Sequence, residues 1–355
     1  MTRRIVLALE KKAAVAQLFT FDALIDTRSP AEYREDHIPG AMNCPVLSDE
    51  EWARVGTLYK QVSPFEARKL GAALVSRNIA GHLETLFRDK PRDWRPLVYC
   101  WRGGQRSGAM THVLREVGWD AHRLEGGYKA YRRRVAADLA VWPEGLRWRV
   151  ICGPTGSGKS RLLEALARAG AQTLDLEGLA AHRGSVLGAL PDAPQPSQKA
   201  FETRLWDALR RIDAEQPVFV EAESKKIGAV RLPEALAAAM RQGACVRLEA
   251  NLATRIALLK DEYRHFLENL DALGDRLDCL RRFHGAAVIA EWKDLAQRGA
   301  WDELVAELLI RHYDPAYLRS TVSHYPRLAG APVLALEAPG ANAFDPLARR
   351  LLEVD

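Results

Sequence analysis

Short, continuously apolar runs alternate along this chain with stretches that repeat every three or four residues. Two runs, ALIDTR at residues 23–28 and PLVYCW at 96–101, have strand length and the unbroken apolar character of strands buried on both faces. The segments SPFEARKLGAALVSRNIAGHL (63–83) and RSGAMTHVLREVGW (106–119) place their apolar residues at helical spacing. Strands that alternate with helices predict a parallel sheet with covered faces. After GGYKAYRRRVAADLAVWPEG the alternation begins afresh: RWRVICG predicts a strand, KSRLLEALARAG a helix, and QTLDLEG, PVFVEAE and ACVRLEA three more strands. From Asn251 to about Arg319 the pattern is nearly all helical, and APVLALEAPG then predicts a strand that returns to the second sheet. PDAPQPSQ (191–198) reads as an exposed loop. The expected architecture is α/β, two parallel-sheet domains with an added C-terminal helical segment. Its expected bounds are a first sheet domain over 1–130, a linker helix over 131–147, a second sheet domain over 148–250, a helical, lid-like segment over 251–320 and a return to the second sheet over 321–355.

Composition narrows the class without naming a function. The chain has 355 residues, 48% of them hydrophobic and 27% charged, which suits two globular cores better than one. Five cysteines are scattered with no paired spacing, a usage that fits a reducing compartment and neither a zinc site nor a disulfide framework. No apolar run approaches the roughly 20 residues of a membrane span, and the N-terminus lacks a signal-peptide pattern. These features predict a cytoplasmic protein with no membrane partner. The net charge is +5, and the whole surplus falls in residues 1–145. In that part YKAYRRRV sets Arg132, Arg133 and Arg134 beside two tyrosines, either as a solvated helix or as a phosphate-contacting face for RNA.

Two stretches have the composition of anion cradles. In YCWRGGQRSG, Cys100 stands where an apolar strand gives way to a loop that feeds a helix. Gly103 and Gly104 let successive N–H groups turn inward, and Arg102, Arg106 and the helix dipole add positive potential, an environment that favours a thiolate or an anion beside it. Trp101 and Gln105 complete that loop. A buried packing role is the plain alternative for a free cysteine, and a cysteine-dependent phosphatase would use a similar loop. In ICGPTGSGKS the spacing G-x-x-x-x-G-K-[ST] sits between a strand and a helix. Gly153, Thr155, Gly156, Ser157 and Gly158 would wrap a diphosphate with backbone N–H groups, Lys159 would meet its outer charge and Ser160 would hold Mg2+. Glu221, Glu223, Ser224 and Lys225, in VEAESKKIG, are candidate neighbours of the metal and phosphates. Glutamates stand where nucleotide hydrolases favour aspartate, which weakens the expectation of ATP hydrolysis. The loop wording is also similar to that of tRNA dimethylallyltransferases, whose P-loop holds a prenyl diphosphate.

Residue-level likeness connects the two cradles. The stretch DTRSPAEYREDHIPGAMNCP, with Asp26, Arg28, Glu32, Tyr33, His37, Pro39, Gly40 and Asn43, resembles the rhodanese signature. That resemblance makes Cys100 the carrier of a persulfide or its selenium equivalent and gives Asp26, Arg28 and His37 positioning roles, while Cys44 is a candidate second thiol. A rhodanese-like half joined to a P-loop NTPase-like half, together with EGGYKAYRR, VEAESKKIG and RHYDPAYLRS, resembles the bacterial tRNA 2-selenouridine synthases. The resemblance implies a transferase acting on tRNA that carries 2-thiouridine at the wobble position, in the lysine, glutamate and glutamine acceptors. It implies geranyl diphosphate and then selenophosphate as donors, with Mg2+ at the P-loop and no requirement for ATP. Lys260, Arg264, Arg281 and Arg282, interleaved with aromatic residues after Asn251, join the three arginines of YKAYRRRV as candidate RNA contacts. Two alternatives use the same motifs: an ATP-dependent tRNA sulfurtransferase, and a non-catalytic nucleotide-binding sensor of sulfur status.

Overall fold

The computed structural model describes residues 11–340 and 342–353, and the side chains of 320–323 are outside that description. Residues 1–10, at the head of the first expected domain, also lie outside it. The chain divides into two compact units, 1–138 and 139–355.

The first unit is built on a five-stranded sheet of β1 (Lys12–Ala13), β2 (Ala23–Asp26), β3 (Ala41–Asn43), β4 (Pro96–Tyr99) and β5 (His122–Leu124), in the order β1-β5-β4-β2-β3. Every pair is parallel. The predicted runs form the central strand β4 and its neighbour β2, and helices Pro64–Glu84 and Gln105–Val117 follow the predicted helical stripes. Ile25, Val98, Met110, Leu114 and Phe87 pack into its core. A buried ion pair fixes the end of β2: Arg28 Nη2 lies 2.6 Å from Asp26 Oδ2 and also donates to the Asp36 carbonyl at 2.7 Å. Its guanidinium stacks over the Tyr128 ring at 3.9 Å, while the Tyr128 hydroxyl donates to Asp36 Oδ2 at 2.7 Å. Such a charge can be buried because Asp26 neutralises it and both Nε and Nη2 have acceptors. Asp26 and Arg28 thus hold loops together, the positioning role expected of them. His37 stacks on Tyr33 at 3.8 Å and does the same for the turn before β3.

In the second unit, β6 (Arg147–Cys152), β7 (Gln172–Leu174), β8 (Pro217–Glu221), β11 (Ala244–Ala250) and β12 (Val333–Leu336) form an all-parallel sheet, ordered β12-β11-β6-β8-β7. A two-residue antiparallel ribbon, β9 (Lys226–Ile227) with β10 (Val230–Arg231), stands apart from it. The predicted return strand is β12, which pairs with β11 from Val333↔Arg247 to Leu336↔Ala250. Helix Lys159–Arg168 packs Leu162 and Leu166 onto Phe219 and Leu248 of the sheet, and helix Phe344–Leu352 adds Phe344, Ala348 and Leu351 to the same core. The helical stretch after β11 is six successive helices: Leu252–Glu262, Arg264–Glu268, Leu270–Asp278, Arg281–Gln297, Trp301–Leu308 and Asp314–His324, with a single wide turn at Leu309–Tyr313 before the last. Leu273, Leu277, Ile289, Trp292, Leu304 and Leu308 give that stretch a core of its own. No helix among the described residues is long and apolar enough to cross a membrane.

Candidate functional site

Each cradle lies at the carboxyl end of a central strand, where parallel α/β sheets collect their ligands. In the first unit β4 ends at Tyr99, and Cys100 opens the loop to helix Gln105–Val117. Cys100 is nearly buried, and its Sγ accepts the Gly104 N–H at 3.2 Å and lies 3.2 Å from the Ser107 hydroxyl. Backbone dipoles at a helix N-terminus and a hydroxyl are the groups that stabilise a thiolate. Arg106 does not point its charge at the sulfur: it pairs with Glu32 at 2.6 Å. Arg102 and Gln105 are exposed at the rim, and Arg102 has no ion pair among the described residues. Trp101 packs against Tyr128 with ring centroids 5.3 Å apart. The loop is braced by residues 128–129, since the Cys100 carbonyl accepts the Tyr128 N–H and the Trp101 carbonyl accepts the Lys129 N–H, each at 2.9 Å. At Gly127, with φ of +58°, an added Cβ would lie 2.3 Å from the Gly103 nitrogen and 2.4 Å from the Cys100 oxygen, so no side chain fits. Cys44 is a different kind of thiol. It is fully buried, and burial first and the Asp26 charge second push its pKa up to about 12, which removes it as a second nucleophile near neutral pH.

In the second unit the loop from Gly153 to Gly158 joins β6 to helix Lys159–Arg168. Lys159 Nζ donates to the Gly153 carbonyl at 2.9 Å, so the ammonium lies across the loop it is expected to serve. Thr155 is held from outside, its carbonyl accepting Arg255 Nε at 2.9 Å, and Arg255 in turn forms a two-pronged pair with Asp314 at 2.5 and 3.0 Å. Gly158, at φ +87°, leaves room for the Phe344 ring, which a Cβ there would meet at 2.5 Å. Ser157 is buried, with no partner for its hydroxyl among the described residues.

Around Ser160 the structure gathers carboxyl groups from two strand ends, Glu177 just after β7 and Glu221 and Glu223 at the end of β8. Ser160 donates to Glu177 Oε2 at 3.0 Å, and the Glu177 N–H donates to Glu221 Oε1 at 2.9 Å. Glu221 is almost wholly buried, and its other oxygen has no partner among the described residues. Burial, then the charge of Glu223, pushes Glu177 up to about 8, while Lys159 and the Ser160 hydroxyl pull the other way. Burial likewise raises Glu221, with Glu177 next, and raises Glu223 against the pull of Lys159. These three acids resist ionising next to the P-loop, and among the described residues no group of three acid, histidine or cysteine side chains is arranged to hold a metal ion by itself. Glu177 and Glu223 face a cavity of about 530 Å³ whose walls also include Lys159, Ser160 and Arg183, while Glu221 is buried and does not line it. Ser224 and Lys225 reach its edge, but Lys225 is paired with Glu234. Glu177 and Arg183 were not evident from sequence.

The candidate RNA contacts divide. Arg132 is turned inward, 3.5 Å from Asp36, and Arg134 pairs with Asp138 at 2.7 Å. Lys260 pairs with Asp302, Arg264 with Asp261 and Arg281 with Asp278. Arg133 and Arg282 have no ion pair among the described residues, although Arg282 lies over the Phe283 ring at 4.6 Å.

Comparison with known proteins follows the same two halves. Residues 146–329 match the family described as the tRNA 2-selenouridine synthase AAA domain, and residues 8–134 match the Rhodanese-like domain. A tRNA 2-selenouridine synthase of Nitrosomonas europaea is 38% identical over 69% of this chain, and the match spans 65% of that protein's length. One from Salmonella paratyphi A is 35% identical over 85% of this chain and 90% of its own. Among solved structures, a rhodanese-related protein from Thermoplasma volcanium aligns at 18% identity over 35% of this chain and 92% of its own, with a TM-score of 0.23. By its matched domains and the reach of these relatives, the chain belongs to the tRNA 2-selenouridine synthase family.

Proposed function

We propose that this chain exchanges the sulfur of 2-thiouridine for selenium at the wobble position of tRNA, in the lysine, glutamate and glutamine acceptors, and that it does so in the cytoplasm in two steps. The 2-thiouridine sulfur first attacks the C1 carbon of geranyl diphosphate. A C–S bond forms, the C–O bond breaks and diphosphate leaves with the electron pair. The selenium of selenophosphate then adds at C2 of the base, the C2–S bond breaks and the geranylated sulfur leaves as a thiol, and water cleaves the remaining Se–P bond to release phosphate, so that alkylation has turned a poor leaving group into a good one. ATP enters neither step.

The observation that carries this reading is the pairing, in one chain of this family, of a thiol at a helix N-terminus with a P-loop lined by reluctant acids. Lys159 and the loop N–H groups between Gly153 and Gly158 bind and stabilise the departing diphosphate. Ser160, Glu177 and Glu223 are the residues that would hold Mg2+, whose charge would offset that of the diphosphate. Cys100 receives or directs selenium, with the Gly104 N–H aimed at its sulfur. Arg133, Arg282 and the paired cations Lys260, Arg264 and Arg281 are the proposed RNA contacts.

Nucleoside mass analysis tests the reading. Purified protein, Mg2+, geranyl diphosphate and 2-thiouridine tRNA, without ATP, should give a base heavier by one geranyl group, and added selenophosphate should convert it to 2-selenouridine. A base that changes only when ATP is supplied contradicts it and favours the sulfurtransferase alternative.

A further inference from the structure

An apolar pocket opens behind the P-loop, walled by the helical stretch after β11. Its volume is about 60 Å³, and its lining includes Leu187, Phe266, Leu273, Leu304, Val305 and Leu308, all but Val305 part of one buried core. Thr155 of the P-loop, Ser185, Leu259, Tyr263 and Tyr313 line both this pocket and the polar cavity that holds Lys159 and Ser160. The two spaces therefore meet at the P-loop. At the junction the Ser185 and Tyr263 hydroxyls lie 3.1 Å apart and satisfy one another, and the Tyr263 ring lies flat against Phe266.

The pairing of spaces selects a kind of ligand. A nucleoside pushed into the pocket would take its base and ribose out of water and leave their polar atoms without partners, at a cost for each. A hydrocarbon chain loses no hydrogen bonds there and gains by leaving water. We propose that this pocket holds the hydrocarbon tail of a prenyl diphosphate whose diphosphate lies in the P-loop, and that Leu304, Val305 and Leu308 set the length of chain admitted. The assignment rests on the prenyl-donor reading above and gives it a place on the molecule. It also assigns the helical stretch a task at the donor site.

Calorimetric binding to the full-length chain with Mg2+ tests it, using inorganic diphosphate, ATP, and the unreactive thiolodiphosphate analogues of the geranyl and farnesyl compounds as probes. The wild-type chain should bind the geranyl probe at least tenfold more tightly than inorganic diphosphate. Val305→Trp, at a half-buried wall position, and Leu304→Trp, in the core, should bring the geranyl probe within about twofold of inorganic diphosphate and leave inorganic diphosphate binding unchanged, which also reports that the unit is folded. Leu308→Ala should shift the ratio of farnesyl to geranyl affinity toward the longer chain by at least threefold. A chain-dependent gain that survives in Val305→Trp, with the farnesyl ratio unmoved in Leu308→Ala, overturns the pocket while leaving the donor reading in place. A wild-type chain that gains nothing from the geranyl group and prefers ATP overturns the donor reading itself.

Discussion

The Cys100 loop and the P-loop occupy equivalent places, each at the end of a central parallel strand and the start of a helix, yet they handle charge in opposite ways. At Cys100 the nearby arginine is already neutralised by Glu32, and the sulfur depends on one backbone N–H and one hydroxyl. At the P-loop, Lys159 stands beside carboxyl groups that burial pushes toward their protonated forms, with the charges of neighbouring acids adding to the effect at Glu177 and Glu221. The first arrangement suits a small anion that comes and goes at a nucleophile. The second suits a cation and a highly charged leaving group that arrive together. One fold principle, anion binding at a strand-to-helix turn, thus serves two chemistries through the side chains set around it.

Substitutions can break this division, beginning with the largest effect. Cys100→Ala should abolish selenation and keep geranylation within about twofold of wild type, as measured by nucleoside mass analysis; loss of both activities together would merge the two sites. Lys159→Ala should lower geranylation by about 10³-fold, the scale of removing a main charge-stabilising donor, while circular dichroism stays that of the folded chain. Gly158→Ala should destabilise the second unit by about 1–3 kcal/mol, because a left-handed residue would gain a Cβ pressed on Phe344; chemical denaturation reads this.

The last expected effect is on pH dependence. Glu177 keeps its proton in the folded chain up to about pH 8, against an ordinary value of 4.5. Between those values the folded state holds more protons than the unfolded one, so stability should decline as pH rises from about 5 to 8 and level off above. Glu177→Gln should flatten that decline, and an unchanged slope would place the proton elsewhere.

Much of this was legible in the chain, for reasons that also explain what was not. ALID, PLVY, RWRVIC, PVFVE and ACVRLEA declare themselves because strands buried on both faces need unbroken apolar runs. Strands β1, β3 and β5 have only two or three residues, too short for any period, and exist through the neighbours they pair with. QTLDLEG predicted a strand through Glu177, but the strand stops at Leu174, where Asp175 caps a short helix by accepting the Gly178 N–H at 2.7 Å. That cap turns Glu177 toward Ser160. An aspartate three residues before a glycine was the available signal, masked by the leucines around it. Arg106 and Arg132 had the right charge in the right segment, and only tertiary packing reveals that Glu32 and Asp36 already claim them.

The central claim is that the two cradles act in sequence and independently, and one measurement separates them. Lys159→Ala protein is given tRNA already carrying S-geranyl-2-thiouridine, with selenophosphate and no geranyl diphosphate, and the nucleosides are weighed. Formation of 2-selenouridine at close to the wild-type rate is the predicted result. No selenation from that prepared intermediate would show that the P-loop takes part in both steps, and the account of two separate sites would fail.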